Sequence, residues 1–197
     1  MGVTVPLRGW TVDADRFQTR ATNFFDHNPV GNSNVFFPIT IDGALIRGTE
    51  ITLRSPRTWS RGQFHLAYSN QMAQGPGSIS GGLTNFSSAG DYFLLDHDQR
   101  HTFSAGFDAR LPQGLFAATN VYYGSGFTDS GGPAHLPGHT TVNVSFGKAL
   151  GEKVSLSVTA LNVTDSHLLI DNSLTFGGTH FNNPREIYAE LRYRFHY

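Results

Sequence analysis

The chain closes on "REIYAELRYRFHY", residues 185–197, and this stretch permits few folds. Ile187, Ala189, Leu191, Tyr193, Phe195 and Tyr197 fall on one parity, and Glu186, Glu190, Arg192, Arg194 and His196 fall on the other. Only a β-strand, whose successive side chains point to opposite faces, sorts them into one apolar and one charged face. A soluble sandwich strand alternates too, but its polar face usually mixes Ser, Thr, Lys and Glu rather than so many ionisable groups in succession.

The same alternation recurs about eight times along the chain, and helical periodicity is hard to find. Trp10, Val12 and Ala14 oppose Thr11, Asp13 and Asp15; Ile51 and Leu53 oppose Glu50, Thr52 and Arg54; Phe64, Leu66 and Tyr68 oppose Gln63, His65 and Ser69. Phe103, Ala105, Phe107 and Ala109 face away from Thr102, Ser104, Asp108 and Arg110. Further on, Val142, Val144 and Phe146 oppose Thr141, Asn143 and Ser145, and Val154, Leu156, Val158 and Ala160 oppose Ser155, Ser157 and Thr159. "GLFAATNVYYGSGF" is less regular, though Leu115, Ala117, Val121 and Tyr123 share a face.

The connections between these segments alternate in length. "SPRTWSRG", "LPQG" and "LGEK" are short turns, whereas the intervening connections run about 14 to 28 residues. In a meander this places the short turns on one rim and the loops of residues 27–43, 70–97, 125–138 and 166–184 on the other. That is the plan of an outer-membrane β-barrel, with periplasmic turns and extracellular loops. Strands of about 9 to 11 residues also match the tilted length that crosses a bilayer. The pattern therefore predicts an all-β, antiparallel meander of about eight transmembrane strands, its apolar face solvated by lipid and its polar face turned to a wet lumen. Glu50, Arg54, Asp108, Arg110, Glu190, Arg192 and Arg194 are the expected lumen-facing charges, and Tyr68, Tyr123, Tyr193, Phe195 and Tyr197 the expected aromatic girdle.

Composition narrows the alternatives. Charged residues make up 15% of the chain, against about 25% in soluble domains, and a net charge of -1 gives no reason to expect a nucleic-acid partner. Cysteine is absent, which removes disulfides and Cys-based metal sites. No window of about 18 apolar residues exists for a membrane-spanning helix. The opening "MGVTVPLRGWTVDADR" has no basic region followed by an apolar run, so no signal peptide is expected within residues 1–197.

Several stretches go beyond pattern. "LLDHDQRHTFSAGFDARLPQG", then "VYYGSGF", "VTALNVTD" and "FGGTHFNNPREIYAELRYRFHY" resemble the C-terminal barrel strands of TonB-dependent outer-membrane receptors. In that family a strand ending in Leu-Asn-Val-Thr-Asp, here Leu161 to Asp165, leads to an extracellular loop and a last strand that closes on an aromatic residue, here Tyr197. The resemblance implies a bacterial outer-membrane location and a transporter that binds a scarce solute outside the cell. It also implies that an inner-membrane TonB complex acts through an N-terminal plug. Tyr193, Phe195 and Tyr197 would be the signal read by the barrel-assembly machinery. Residues 1–197 offer no plug, so they would form a single barrel segment, the C-terminal part of a roughly 22-stranded barrel and, taken alone, an open curved wall.

A self-closed eight-stranded barrel with a structural or adhesive role is the alternative, and it requires pairing between residues 10–17 and 186–197. A soluble β-domain is a third reading.

Candidate chemistry is sparse. On an extended strand His97 and His101 of "DHDQRH" would stand about 13 Å apart, too far to share an ion with Asp96 or Asp98. His135 and His139 in "HLPGH" lack an evident third ligand. The Gly-rich "GPGSISGG" and "GSGFTDSGGP" do not join a strand to a helix, so phosphate cradling is not expected. No Ser-His-Asp spacing supports an enzyme, and no cofactor is expected. What remains are aromatic residues in the long loops, Phe36, Phe37, Tyr92, Phe127, Phe176 and Phe181, able to stack on a small solute.

Overall fold

In a computed structural model of the chain, residues 1–29, 35–57, 61–75, 79–81, 93–95, 97–129, 133–172 and 179–195 are described. The strands are β1 (Gly2–Leu7), β2 (Trp10–Pro29), β3 (Phe36–Arg54), β4 (Gly62–Gly75), β5 (Ile79–Gly81), β6 (Phe93–Leu94), β7 (His101–Arg110), β8 (Leu115–Gly124), β9 (His139–Leu150), β10 (Val154–Leu161), β11 (Leu169–Asp171), β12 (His180–Phe181) and β13 (Glu186–Tyr193). The one helical element among the described residues is a single 3-10 turn, Pro112–Gly114.

The main sheet runs β1-β2-β3-β4-β7-β8-β9-β10-β13, with the short β5 and β6 added alongside β3 and β4. Every pairing in it is antiparallel. β11 and β12 form a separate small hairpin. The expected all-β antiparallel meander is what the chain adopts, as an open sheet.

Self-closure is overturned by the register. β2 pairs with β1 and β3, and β13 pairs with β10, so residues 10–17 do not meet 186–193. The sheet ends in two edges, β1 and β13.

Backbone pairing also shows why the alternation is so strict. Asp13, Thr52, Ala67, Ser104, Tyr122, Thr141 lie on one face by successive pairings, and so do Gln63, Asp108, Ala118, Ser145, Thr159 and Tyr188. The opposite face aligns Ile51, Tyr68, Phe103 and Tyr123, and further along Phe146, Val158 and Ala189. A one-residue slip would exchange the two faces. Phe146 is 53% exposed, Leu156 47% and Leu191 71%, because no second layer covers this band. Ile39, Ile41, Ala44 and Leu136 are the buried hydrophobic residues among those described, too few for the core of a soluble sandwich.

Two features depart from the sequence-based expectation. First, β1 adds a strand, giving nine along the path rather than about eight. "GVTVPL" alternates well, but Pro6 argues against a strand; it is tolerated because β1 is an edge. The β1–β2 connection is the two residues Arg8 and Gly9, with φ of 49° and 86°, the positive values a primed two-residue hairpin turn requires. Second, β2 and β3 run 20 and 19 residues and pair up to Pro29 and Phe36, so most of the expected loop 27–43 is strand. They are about twice the length needed to cross a bilayer. Parts of the loops 70–97 and 166–184 are likewise strand, in β4, β5, β6, β11 and β12.

Chain order then settles the two rims. β1–β2, β3–β4, β7–β8 and β9–β10 are joined at one end of the sheet by two to seven residues, and β2–β3, β4–β7, β8–β9 and β10–β13 at the other, where β2–β3 takes six residues and the remaining three connections are longer.

Candidate functional site

The long-loop rim is built around one carboxylate. Asp98 is 1% exposed, a position a charge can hold only when it is paired and hydrogen-bonded. Its Oδ1 accepts the backbone N–H of Ala73 at 2.6 Å, at the end of β4. Its Oδ2 lies 3.3 Å from His135 Nε2 and 3.6 Å from Arg100 Nε. The Thr128 hydroxyl donates to the carbonyls of Leu95 and Asp98, both at 3.2 Å. Bridges Gln99–Phe127 and Thr128–His135 complete a clasp that holds Phe127, Thr128 and His135 at the approach to β7.

Beside the clasp, on the polar face, aromatic rings gather. Phe127 stacks on His139 with centroids 5.5 Å apart, His139 on Tyr122 at 5.9 Å, and His97 meets the edge of Phe127 at 5.9 Å. Gln99 Nε2 donates to Thr102 Oγ1 and Tyr122 OH, both at 2.9 Å. His139 opens β9 at its long-loop end.

A second anchor is Asn162. Its positive φ of 47° turns the chain out of β10. Its side-chain amide donates to the carbonyls of Ser166 at 3.0 Å and Asn183 at 3.1 Å, and its Oδ1 accepts from Ser166 N at 3.0 Å. Asp165, also at positive φ (52°), accepts from Arg185 N at 2.8 Å. The Leu161–Asp165 segment is therefore a polar knot that ties the start of the last long loop to its end. Next to it lies a cavity of about 380 Å³ lined by Thr141, Asn143, Asn162, Ile170, Phe181 and Asn182 among others.

The expected ligand aromatics are dispersed. Phe36 is exposed and Phe37 half-buried at the start of β3, Phe127 sits in the ring cluster, and Phe181 is exposed beside the Asn162 cavity. Tyr92 and Phe176 lie outside the described residues, as do Asp96 and Tyr197. Tyr193 and Phe195 pack edge to face at 4.6 Å, both exposed.

The charged positions occupy the polar face together. Glu190 Oε1 and Arg192 Nη2 pair at 2.8 Å. Asp108 Oδ2 lies 3.6 Å from His65 Nδ1, and Asn120 bridges His65 at 3.5 Å and Ser104 at 3.1 Å. Gly106 makes room for this imidazole, since a Cβ there would collide with His65. Arg194 follows β13 and donates its backbone N–H to Lys153 O at 2.8 Å.

The histidines of "DHDQRH" and "HLPGH" make ring, hydrogen-bond and ion-pair contacts. His97 and His139 pack against Phe127, His135 holds Asp98, and His101 Nδ1 bonds the Tyr68 hydroxyl at 2.8 Å. No group of three or more metal-ligating side chains converges among the described residues. Sequence reading missed Asp98 and Asn162 as anchors; for Asn162 the available signal was an amide between Leu161 and Val163 at the end of a strand, whereas Asp98 lies in a polar run that gives no such signal.

The chain forms a single-layered open sheet with one exposed apolar face and one polar face, which is consistent with part of a barrel. A family model described as TonB dependent receptor-like, beta-barrel, matches residues 2–163. The chain belongs to the TonB-dependent receptor β-barrel family. TonB-dependent receptors are transporters of the Gram-negative outer membrane. No curated protein sequence matches this chain. Among solved TonB-dependent receptors, the ferric enterobactin receptor PfeA of Pseudomonas aeruginosa superposes with a TM-score of 0.66 at 15% identity, over 98% of this chain and 30% of its own. The siderophore receptor PirA of Acinetobacter baumannii gives 0.66 at 14%, over 98% and 31%. The ferric-catecholate import receptor Fiu of E. coli K12 gives 0.60 at 16%, over 93% and 25%. At such identities the likeness is one of fold, and the chain spans less than a third of each receptor's length.

Proposed function

We propose that residues 1–197 form a single barrel segment of an outer-membrane receptor for solute uptake, contributing barrel wall and ligand-contacting loops. The observation that carries this reading is the register, which collects the apolar side chains on one uncovered face and the charges on the other. An apolar band of that kind suits lipid, and the polar face with Glu50, Arg54, Asp108, Arg110, Glu190, Arg192 and Arg194 suits a hydrated lumen. The short-turn rim is then periplasmic and the long-loop rim extracellular. The two open edges are where further strands of the same barrel would pair.

In this reading Phe36, Phe37, Tyr92, Phe127, Phe176 and Phe181 contact the solute, and the aromatic C-terminus, Tyr193, Phe195 and Tyr197, is the mark recognised during barrel assembly. The TonB complex would act through a plug outside residues 1–197. The similar solved receptors are named for ferric siderophores, which makes a ferric chelate the solute class to test first.

The test is uptake of radiolabelled iron, supplied as a panel of siderophore chelates, by cells carrying the gene for this chain and by cells in which it is disrupted. Disruption should remove uptake of one chelate class. Combined Phe127→Ala and Phe181→Ala should weaken that uptake about tenfold, the loss expected from one or two stacking contacts, while the barrel stays in the outer-membrane fraction. Unchanged uptake of every chelate after disruption would remove the ferric-solute assignment, and recovery of the chain away from the outer membrane would remove the barrel reading itself.

A further inference from the structure

Three arginines come together at the short-turn rim. Arg57 and Arg61 lie in the β3–β4 turn, and Arg110 ends β7. The Arg110 N–H donates to the Arg61 carbonyl at 2.6 Å, so turn and strand are tied together. All three line one cavity of about 190 Å³, together with Gln63, Asp108 and Phe116. Gln63 is committed elsewhere, its Nε2 donating to Ser55 O at 3.0 Å. The Asp108 carboxylate leans to His65, 3.6 Å away. Among the described residues no carboxylate lies in ion-pair reach of Arg57, Arg61 or Arg110.

Like charges repel one another, and a fold that keeps three of them around one cavity with a single carboxylate, Asp108, leaves a site suited to an anion. Guanidinium is the side chain best matched to oxyanions, through paired N–H donors in a fixed plane. One arginine fork suffices for a planar carboxylate. Three forks arriving from a turn and from a strand end suit a tetrahedral group that offers oxygens in several directions. The volume admits a phosphate group and some hydration, each water taking about 30 Å³. Asp108 sets a limit, since three cations and one anion leave the cavity a surplus of two positive charges.

We infer that Arg57, Arg61 and Arg110 form a phosphate-binding site on the short-turn rim of the sheet. The phosphate is that of a soluble solute or of a lipid headgroup at the rim, and the site does not depend on which solute the receptor carries.

The test uses the full chain folded in a phosphate-free maltoside detergent. Calorimetric titrations are run with inorganic pyrophosphate and, separately, with short-chain phosphatidylglycerol below its micelle concentration, at fixed ionic strength. Saturable binding of either supports the site. Pyrophosphate alone identifies a soluble phosphate as the ligand, and the lipid alone identifies a headgroup. Arg57→Gln combined with Arg110→Gln should weaken binding about a hundredfold, since each removes a charge-assisted fork, while Arg16→Gln on the opposite face should leave it unchanged. Arg110→Lys keeps the charge and loses the fork, so about a tenfold loss is expected; this variant carries the test if the double Gln variant loses its β-sheet circular dichroism. Absence of saturable binding to both probes, or equal losses with Arg16→Gln and Arg110→Lys, would overturn the proposal.

Discussion

At the short-turn end of the sheet, strands are joined by two to seven residues, and backbone pairing with sorted faces accounts for nearly all of the order. At the long-loop end, apart from the continuing β2–β3 ladder, buried side chains take over: Asp98 binds the end of β4 to the 125–138 connection, and Asn162 binds the two ends of the last loop to each other. The contrast teaches where a substitution matters. Near the short turns, what counts is which face a residue occupies. Near the long loops, what counts is whether a specific polar partner is present.

The sharpest way to break that contrast is Asp98→Ala. It leaves His135, Arg100 and the Ala73 N–H without their shared acceptor, and breaking a buried pair of this kind costs about 3–5 kcal/mol. Limited proteolysis should show new cuts within residues 95–138, and denaturant unfolding should show the loss. Next is Phe146→Arg on the exposed apolar face, expected to cost about 2–4 kcal/mol in a bilayer, against little change for Ser145→Arg next to it on the polar face. Folding yield into vesicles, read by gel mobility, compares the pair; equal yields would contradict the assignment of the two faces.

Asn162→Ala comes third, at about 1–3 kcal/mol for amide groups left unmatched. Asn162→Gly keeps the positive φ but not the hydrogen bonds, so it should be nearly as damaging; hydrogen exchange at Ser166 would register either. Last is Glu190→Ala, whose pairing with Arg192 is exposed and contributes less than about 1 kcal/mol. A larger loss there would mean that the polar face of β13 does more than meet water.

Much of the sheet was legible in the residues. Strict alternation in "REIYAELRYRFHY" and "HTFSAGFDAR" assigned their faces correctly, and turn lengths assigned the rims. β1 was missed because Pro6 reads as a break, although at an edge its missing donor costs nothing. The extent of β2 and β3 was missed because mixed sequences such as "RATNFFDHNP" carry no clean parity, yet two strands already paired can go on pairing through such a stretch. Among the candidate contacts, Phe127 could be named from the sequence, but not that it meets His97 and His139, nor that His139 in turn meets Tyr122, since these come from three separate segments.

By itself, then, the sequence determined the strand periodicity, the two faces and the order of turns and loops, because each follows from local geometry repeated every two residues. Only the tertiary structure decided that the sheet stays open between β1 and β13, that Asp98 is buried, and that three arginines share a cavity. Those are properties of pairs distant along the chain, and no local spacing encodes which distant partner a side chain will meet.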